Sequence, residues 1–228
     1  MDEKQVNEKG SSKKIYNGVR ENFIKGKLAS TVTYKDSLKN GPAKNYYPSG
    51  KINMVFNYKN NVKNGAYKWY FENGKIYLEG DYKDGEKDGV FKMYRENGKL
   101  KSEMPWYRGK PCVGLKEYFA SGKLKPTPKL TARQINTIKL DNRLKIELKL
   151  SENSKYADFY EGYLGENESF SDIFVELDKK NGKAYRVIFL EKGGFMMKRM
   201  TFIATFETKD KNFYILKKYV NVSADNRR

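Results

Sequence analysis

The sequence predicts an all-β protein, in which an elongated antiparallel sheet of stacked β-hairpin repeats precedes a small antiparallel β domain. Three observations lead to this fold class. A Gly-Lys pair recurs five times at intervals of 24 residues, aromatic residues make up 14% of the 228-residue chain, and apolar and polar residues alternate in its C-terminal part. Aromatic residues suit the pleated surface of a strand, and self-similarity at a fixed period is typical of stacked supersecondary units.

Each repeat carries a turn glycine between two strand-like runs. In the clearest unit, Asn73 and Gly74 separate two aromatic runs, and Asn-Gly readily adopts the positive φ angles of a tight hairpin. Because an isolated hairpin is only marginally stable, we expect the hairpins to stack into one sheet of about ten strands. The expected hairpin tips are Gly26, Gly50, Gly74, Gly98 and Gly122.

Two segments of these repeats carry a resemblance to a known family. The sequences YFENGKIYLEGDYKDGEKDG and MYRENGKLKSEMPWYRGKP resemble the variant MORN repeat (membrane occupation and recognition nexus). The resemblance extends over residues 15–125. In bacteria such repeats characterise the YwqK-like antitoxin family, which this part of the chain therefore also resembles. It implies a hairpin sheet that binds a protein. The same repeat also serves as a scaffold and as a lipid-binding surface, and many relatives look like exported proteins.

The ends of the repeat array depart from the pattern. In the first unit Asn22 replaces the tyrosine of the other four units, so we expect this unit to cap the sheet. In the fifth unit Pro126 and Pro128 follow the turn, and proline there suits only an edge or an exit. We predict a disordered polar tether over 1–14, five repeats over 15–125, a linker over 126–129 and a C-terminal β domain over 130–228.

The C-terminal domain lacks the 24-residue period. In the segment RLKIELKL, aliphatic residues from Leu144 to Leu150 alternate with charged ones, which predicts a strand with one solvated face. Similar runs, separated by turn-forming residues, predict six or seven strands. They could form a sandwich, a barrel or a strongly curved sheet, and this choice stays open.

Each repeat places a basic residue and a tyrosine on one face of the predicted sheet. Side chains alternate along a strand, so the basic residue six positions before the turn glycine shares a face with the tyrosine four positions before it. We interpret this column as a contact surface for a protein or an anionic partner. As an alternative, lysine stems simply cover tyrosine rings on a solvated face. The candidate binding residues are Lys44, Tyr46, Lys68, Tyr70, Lys92, Tyr94, Lys116 and Tyr118, and the basic column begins with Arg20.

The net charge and the residue types limit the chemistry of the chain. Lysine and arginine number 46 against 28 acidic residues, which gives a net charge of +18. This excess favours an anionic partner, although a lysine-rich solvated surface alone identifies no ligand. The chain has no histidine and one cysteine, Cys112, which excludes histidine-based catalysis, intrachain disulfides and His- or Cys-rich metal sites. We therefore expect no cofactor, no metal ion and no catalytic residue.

These observations favour binding over catalysis. We expect a non-enzymatic binding or scaffold protein of the bacterial cell envelope, with the repeat sheet as its recognition surface. The alternative is an immunity protein or antitoxin that neutralises a toxin. A carboxylate-based hydrolase is a third interpretation, because paired carboxylates can hydrolyse glycosides, but no pair stands out in the sequence.

The expected partner and location follow from the same features. A protein partner ranks first, anionic lipid and acidic glycan follow, and nucleic acid ranks below them. The chain has no apolar run long enough to span a bilayer as a helix. Its polar start resembles an exported protein whose leader has been removed, so we expect an envelope or secreted location, with the cytoplasm as the alternative.

Overall fold

Two compact units make up the protein. The structure, a computed structural model, describes residues 4–6, 12–152, 154–171 and 173–227. The first unit consists of Met1–Gly109 and Glu117–Lys123, and the second consists of Lys110–Lys116 and Leu124–Arg228. The sequence places all of 15–125 in the repeats, whereas the structure groups Lys110–Lys116 with the C-terminal strands. The linker over 126–129 stays a prediction.

The first part of the chain folds as the predicted array of hairpins. Its strands are β1 (Lys4–Val6), β2 (Ser12–Lys14), β3 (Gly18–Ile24), β4 (Lys27–Lys35), β5 (Leu38–Tyr46), β6 (Ile52–Lys59), β7 (Val62–Lys63), β8 (Gly65–Tyr70), β9 (Ile76–Lys83), β10 (Glu86–Tyr94), β11 (Leu100–Tyr107), β12 (Lys110–Pro111) and β13 (Lys116–Glu117). Strands β3, β4, β5, β6, β8, β9, β10 and β11 lie side by side in chain order, and β7 pairs with β6. All of these pairs are antiparallel.

The segment predicted as a tether contains a short strand pair. β1 and β2 are antiparallel, with Lys4 opposite Lys14 and Val6 opposite Ser12. The rest of the predicted tether, residues 1–3 and 7–11, lies outside the described residues. The composition alone did not indicate this pairing, because both strands are short and polar.

Four of the five hairpin tips have the same pattern of turn hydrogen bonds. In the third hairpin, Phe71 N–H donates to Lys75 O at 2.8 Å and Gly74 N–H donates to Phe71 O at 2.9 Å. Gly74 has φ +83°, and no atom lies within 4 Å of the position that its Cβ would take. The backbone angle therefore requires glycine here, whereas crowding does not. The same pair of bonds recurs at the predicted tips Gly50, Gly98 and Gly122.

Hydrogen bonds also join neighbouring repeats at the loops opposite the tips. Asn61 N–H donates to Lys39 O, Gly85 N–H to Lys63 O and Gly109 N–H to Lys87 O, each at 2.9 Å. Donor and acceptor stand 22 residues apart in every case, so each loop binds the loop of the preceding repeat. The stability of each hairpin therefore depends on its neighbours.

One face of the repeat sheet, here called the aromatic face, pairs a ring with a residue that lacks a ring within each of three hairpins. Its cross-strand pairs are Ala43 with Phe56, Tyr67 with Gly80, and Phe91 with Met104. The ring centroids of Phe56 and Tyr67 lie 5.1 Å apart, and those of Tyr67 and Phe91 lie 6.3 Å apart. A Cβ on Gly80 would lie 2.6 Å from the ring of Phe91. The absence of a side chain at Gly80 thus provides the space that Phe91 fills.

The second unit contains two four-stranded antiparallel sheets. Its elements are β14 (Leu130–Asn136), α1 (Ile138–Asp141), β15 (Arg143–Leu150), a 3₁₀ turn (Ser154–Tyr156), β16 (Asp158–Gly162), a 3₁₀ turn (Glu166–Glu168), β17 (Phe174–Glu176), β18 (Lys179–Lys180), β19 (Lys183–Phe189), β20 (Phe195–Glu207) and β21 (Phe213–Asp225). The strand orders are β14-β15-β19-β18 and β17-β16-β20-β21. Both sheets have open edges, so the barrel among the predicted arrangements is wrong. The sequence missed β14 and the two-residue β18.

Strongly buried residues hold the second unit together. The alternation predicted for β15 is confirmed, because Leu144, Ile146, Leu148 and Leu150 are each at most 1% exposed. In β20 every residue from Met200 to Phe206 is buried, so this strand is covered on both faces. Such continuous burial is not visible as an alternation in the sequence.

Candidate binding surfaces

The structure brings the central candidate lysines into one row across the sheet. Lys44 lies opposite Val55, Val55 opposite Lys68, Lys68 opposite Glu79, and Glu79 opposite Lys92. The row begins at Glu21, which lies opposite Thr31, and Thr31 lies opposite Lys44. It ends at Glu103, which lies opposite Lys92. We call this row, together with the neighbouring Tyr46, Tyr70 and Tyr94, the lysine–tyrosine face. Lys44, Lys68 and Lys92 are half-buried.

Acidic residues interrupt the predicted column of cations. Glu79 and Glu103 alternate with Lys68 and Lys92, so the C-terminal half of the row carries both signs of charge. In the N-terminal half the intervening residues are Thr31 and Val55, which are uncharged. Sequence analysis missed this division, although the signal was present. The residue five positions after each turn glycine is Thr31, Val55, Glu79 and Glu103, at the same 24-residue spacing.

Two of the candidate tyrosines donate hydrogen bonds to these carboxylates. Tyr94 Oη donates to Glu79 Oε1 at 2.6 Å, and Tyr118 Oη donates to Glu103 Oε2 at 3.0 Å. Burial raises the pKa of Tyr94 to about 12, and the bond to Glu79 contributes in the same direction. Burial and the bond to Glu103 likewise raise the pKa of Tyr118. Both phenols are therefore neutral donors near pH 7 and hold the carboxylates in place.

The same tyrosine column faces no carboxylate in the N-terminal repeats. The residues 15 positions before Tyr46 and Tyr70 are Thr31 and Val55, where the later repeats have Glu79 and Glu103. The phenols and ammonium groups of Lys44, Tyr46, Lys68 and Tyr70 therefore form the part of the face with the greater excess of positive charge.

The fifth repeat is incomplete. Tyr118 N–H donates to Lys101 O at 2.9 Å, and Phe119 N–H donates to Lys123 O at 2.9 Å, so its turn keeps the geometry of the others. Its first strand, β13, has only two residues, and no strand continues after the turn before Leu130. The candidate residue Lys116 is exposed and belongs to the second compact unit.

Arg20 does not extend the lysine row, contrary to the sequence interpretation. The first hairpin has a two-residue tip, Lys25 and Gly26, between the paired residues Ile24 and Lys27. This shorter turn shifts the register by one position, so Glu21 lies opposite Thr31 and Arg20 lies opposite Val32. A shift of one residue moves a side chain to the other face of a strand. The Arg20 guanidinium accordingly lies 5.0 Å and 5.2 Å from the ring centroids of Tyr16 and Tyr34.

A second lysine column packs on the aromatic face, and the sequence analysis missed it. The ammonium of Lys87 lies 4.2 Å from the ring centroid of Trp106, and that of Lys63 lies 4.6 Å from the centroid of Phe56. The ammonium of Lys39 lies 5.3 Å from the ring centroid of Tyr58. Burial lowers the pKa of Lys87. Each of the three lysines stands two positions before the second glycine of its repeat, which is the signal that could have identified them. They stabilise the sheet by cation–π contacts.

The described residues contain neither a candidate metal site nor a candidate membrane-spanning helix. Within the described ranges, no group of three or more His, Cys, Asp or Glu side chains could hold a metal ion. No helix in the same part of the chain has the length and apolar character needed to cross a membrane.

Comparison with known proteins identifies the central repeats. The family described as MORN repeat variant matches residues 39–60, 63–84 and 87–106. These three segments are variant MORN repeats. They contain the central part of the lysine–tyrosine face, from Lys44 to Glu103. The first and fifth predicted repeats lie outside the matched residues, as does the C-terminal unit. A comparison with curated proteins found no match to the chain. The resemblance to YwqK-like antitoxins stays a prediction.

Proposed function

We propose that this protein is a non-enzymatic binding protein of the bacterial cell envelope, and that it holds a partner protein on the lysine–tyrosine face of its MORN repeats. MORN repeats are generally found in binding and scaffold proteins. The observation that carries the proposal is the continuous row from Lys44 to Glu103, which the hairpin register places on one face.

The distribution of charge favours a protein over a uniform polyanion. Lys68 and Lys92 alternate with Glu79 and Glu103, and a partner with complementary charges of both signs fits such a row. A nucleic acid would place phosphates against both carboxylates. Anionic lipid and acidic glycan remain candidates for the N-terminal half of the face, where Lys44 and Lys68 flank Val55.

The remaining parts of the proposal rest on the sequence. The envelope location follows from the resemblance to repeat proteins that look exported. The proposal of a non-enzymatic role is supported by a chain without histidine and with a single cysteine, which excludes histidine-based catalysis and leaves a carboxylate-based hydrolase as the enzymatic alternative. The tyrosine bonds to Glu79 and Glu103 also favour a structural role for these two carboxylates.

Charge reversal tests the face directly. We expect Lys44→Glu, Lys68→Glu and Lys92→Glu together to abolish capture of a partner from solubilised envelope fractions. The matched control is Lys51→Glu, Lys75→Glu and Lys99→Glu, at exposed positions after the turn glycines. Because both variants change the net charge equally, the control should retain capture. Equal losses in the two variants would contradict a specific role for the lysine–tyrosine face.

The antitoxin alternative predicts a different outcome of the same experiment. The captured partner would then be a toxin, and co-production of the unchanged protein would protect cells from it. Fractionation of cells that carry the complete gene would place the protein with the toxin in the cytoplasm and not in the envelope. Liposomes with anionic headgroups, tested at low and high salt, provide the corresponding test for a lipid partner.

A further inference from the structure

One sheet of the second unit is incomplete along the strand β20. β21 pairs with β20 over its whole length, from Phe195 to Glu207. On the other side, β16 pairs with β20 only from Phe202 to Thr205. Among the described residues, no strand pairs with that side of β20 between Phe195 and Thr201. The backbone N–H and C=O groups that point away from β21 in this stretch therefore lie along an open edge.

A groove of about 520 Å³ follows this open edge. Lys198, Met200 and Thr201 of β20 line one side of it. The other side is formed by the end of β16, by β17 and the residue before it, and by Arg186 of β19. All of these elements belong to the second unit. The stretch from Phe195 to Thr201 would span about 23 Å as an extended strand, which is enough for a partner segment of about five to seven residues.

The rim of the groove exposes apolar side chains. Ile173 is 81% exposed, Val175 is 63% exposed and Tyr163 is 67% exposed, and all three line the groove. Met197 of β20 is 74% exposed. Apolar side chains grouped around a concave surface indicate a binding site, whereas scattered ones do not.

The described residues that line the groove carry an excess of positive charge, with Arg186 and Lys198 against Glu161. Arg186 Nε donates to Glu161 Oε2 at 2.5 Å, so the one carboxylate among the described lining residues is already paired. No described residue forms a hydrogen bond or ion pair with the ammonium of Lys198, which lines the same groove. A ligand with a carboxylate would provide the missing partner.

We propose that this edge of β20 binds an extended, acidic and apolar segment of a partner protein as an added β-strand. Its backbone would pair with residues 195–201, its apolar side chains would contact Ile173, Val175 and Met197, and an Asp or Glu would pair with Lys198. A small amphipathic anion would use Lys198 and the apolar rim but would leave the backbone edge unpaired. The site goes beyond the proposed function, which concerns the repeat sheet.

Selection from a displayed library of random nonapeptides on the full chain tests the site. We expect enriched peptides with alternating apolar residues and at least one Asp or Glu. Binding of a synthetic enriched peptide should fall roughly tenfold or more in Lys198→Glu, because an opposite charge becomes a like charge. It should stay unchanged in Lys209→Glu, an exposed lysine in the turn between β20 and β21 that gives the same change of net charge.

Backbone N-methylation of the enriched peptide separates strand addition from side-chain binding and requires no protein variant. Only every second N–H of an added strand points towards β20, so methylation should abolish binding at alternate positions. Failure to enrich any peptide, equal binding by the two lysine variants, or insensitivity to N-methylation would overturn the proposal. Binding of dodecanoate without any enriched peptide would also overturn it, because the groove would then be a site for a small anion.

Discussion

The two units of this protein bury their residues in different ways. In the repeat sheet, a contact made in one hairpin recurs 24 residues later, as the turn bonds at Gly50, Gly74 and Gly98 do. In the second unit, the most deeply buried residues belong to strands that are distant in the sequence, such as Leu148 of β15 and Phe202 of β20. A periodic fold thus builds an extended surface from repeated columns, whereas the aperiodic fold builds a core and leaves part of β20 as an irregular open edge.

The largest effect is expected in the core of the second unit. Phe202 is fully buried, so Phe202→Ala removes a ring and leaves a cavity. We expect a loss of about 3–5 kcal/mol in the free energy of unfolding. Urea denaturation followed by far-ultraviolet circular dichroism measures it. Both tryptophans lie in the repeat sheet, so their fluorescence reports the repeats separately. A loss below about 1 kcal/mol would show that the core tolerates the cavity.

A smaller effect is expected from overpacking the repeat sheet. Gly80→Ala places a Cβ 2.6 Å from the ring of Phe91, which is 3% exposed and has little room to move. We expect a loss of about 1–3 kcal/mol, measured by urea denaturation with tryptophan fluorescence. The second substitution Phe91→Leu should recover part of this loss, because it removes the ring. If the double variant were as unstable as the sum of the single ones, the close approach of the Phe91 ring would not explain Gly80.

The repeat sheet should also lose stability at alkaline pH. The pKa of Tyr67 and of Tyr94 is about 12 in the folded protein, against an ordinary value of 10.0. Between these two values the unfolded chain releases protons that the folded sheet retains. The contribution of these two tyrosines to the free energy of unfolding is therefore complete below pH 10 and declines as the pH rises towards 12. Urea denaturation over this range should show a shallower decline in Tyr94→Phe, and an unchanged slope would contradict the role of Tyr94.

The sequence was sufficient for the features that repeat. The tips at Gly50, Gly74, Gly98 and Gly122 follow from Gly-Lys spacing, because a positive φ recurs wherever the turn recurs. The position of Arg20 could not be predicted in this way. Its face depends on the length of the first turn, and the hydrogen bonds of a two-residue tip are not specified by a single glycine.

The candidate site was predicted in part. Lys44, Lys68 and Lys92 share a face as expected, since their spacing fixes it. The interleaved Glu79 and Glu103 come from the opposite strand of each hairpin, so their position emerges only when cross-strand register is considered. The open edge of β20 had no sequence signal, because its position depends on where the pairing between β16 and β20 ends.

Photocross-linking in cells that carry the complete gene tests the central claim most directly. The cross-linker p-benzoylphenylalanine is introduced in place of Tyr70, on the lysine–tyrosine face, or in place of Tyr58, which packs against Lys39 on the other face. Both tyrosines are half-buried, so their exposure is matched. We predict a discrete adduct with a partner protein from position 70 and none from position 58. Adducts from position 58 alone, or from neither position, would contradict the assignment of the lysine–tyrosine face as the recognition surface.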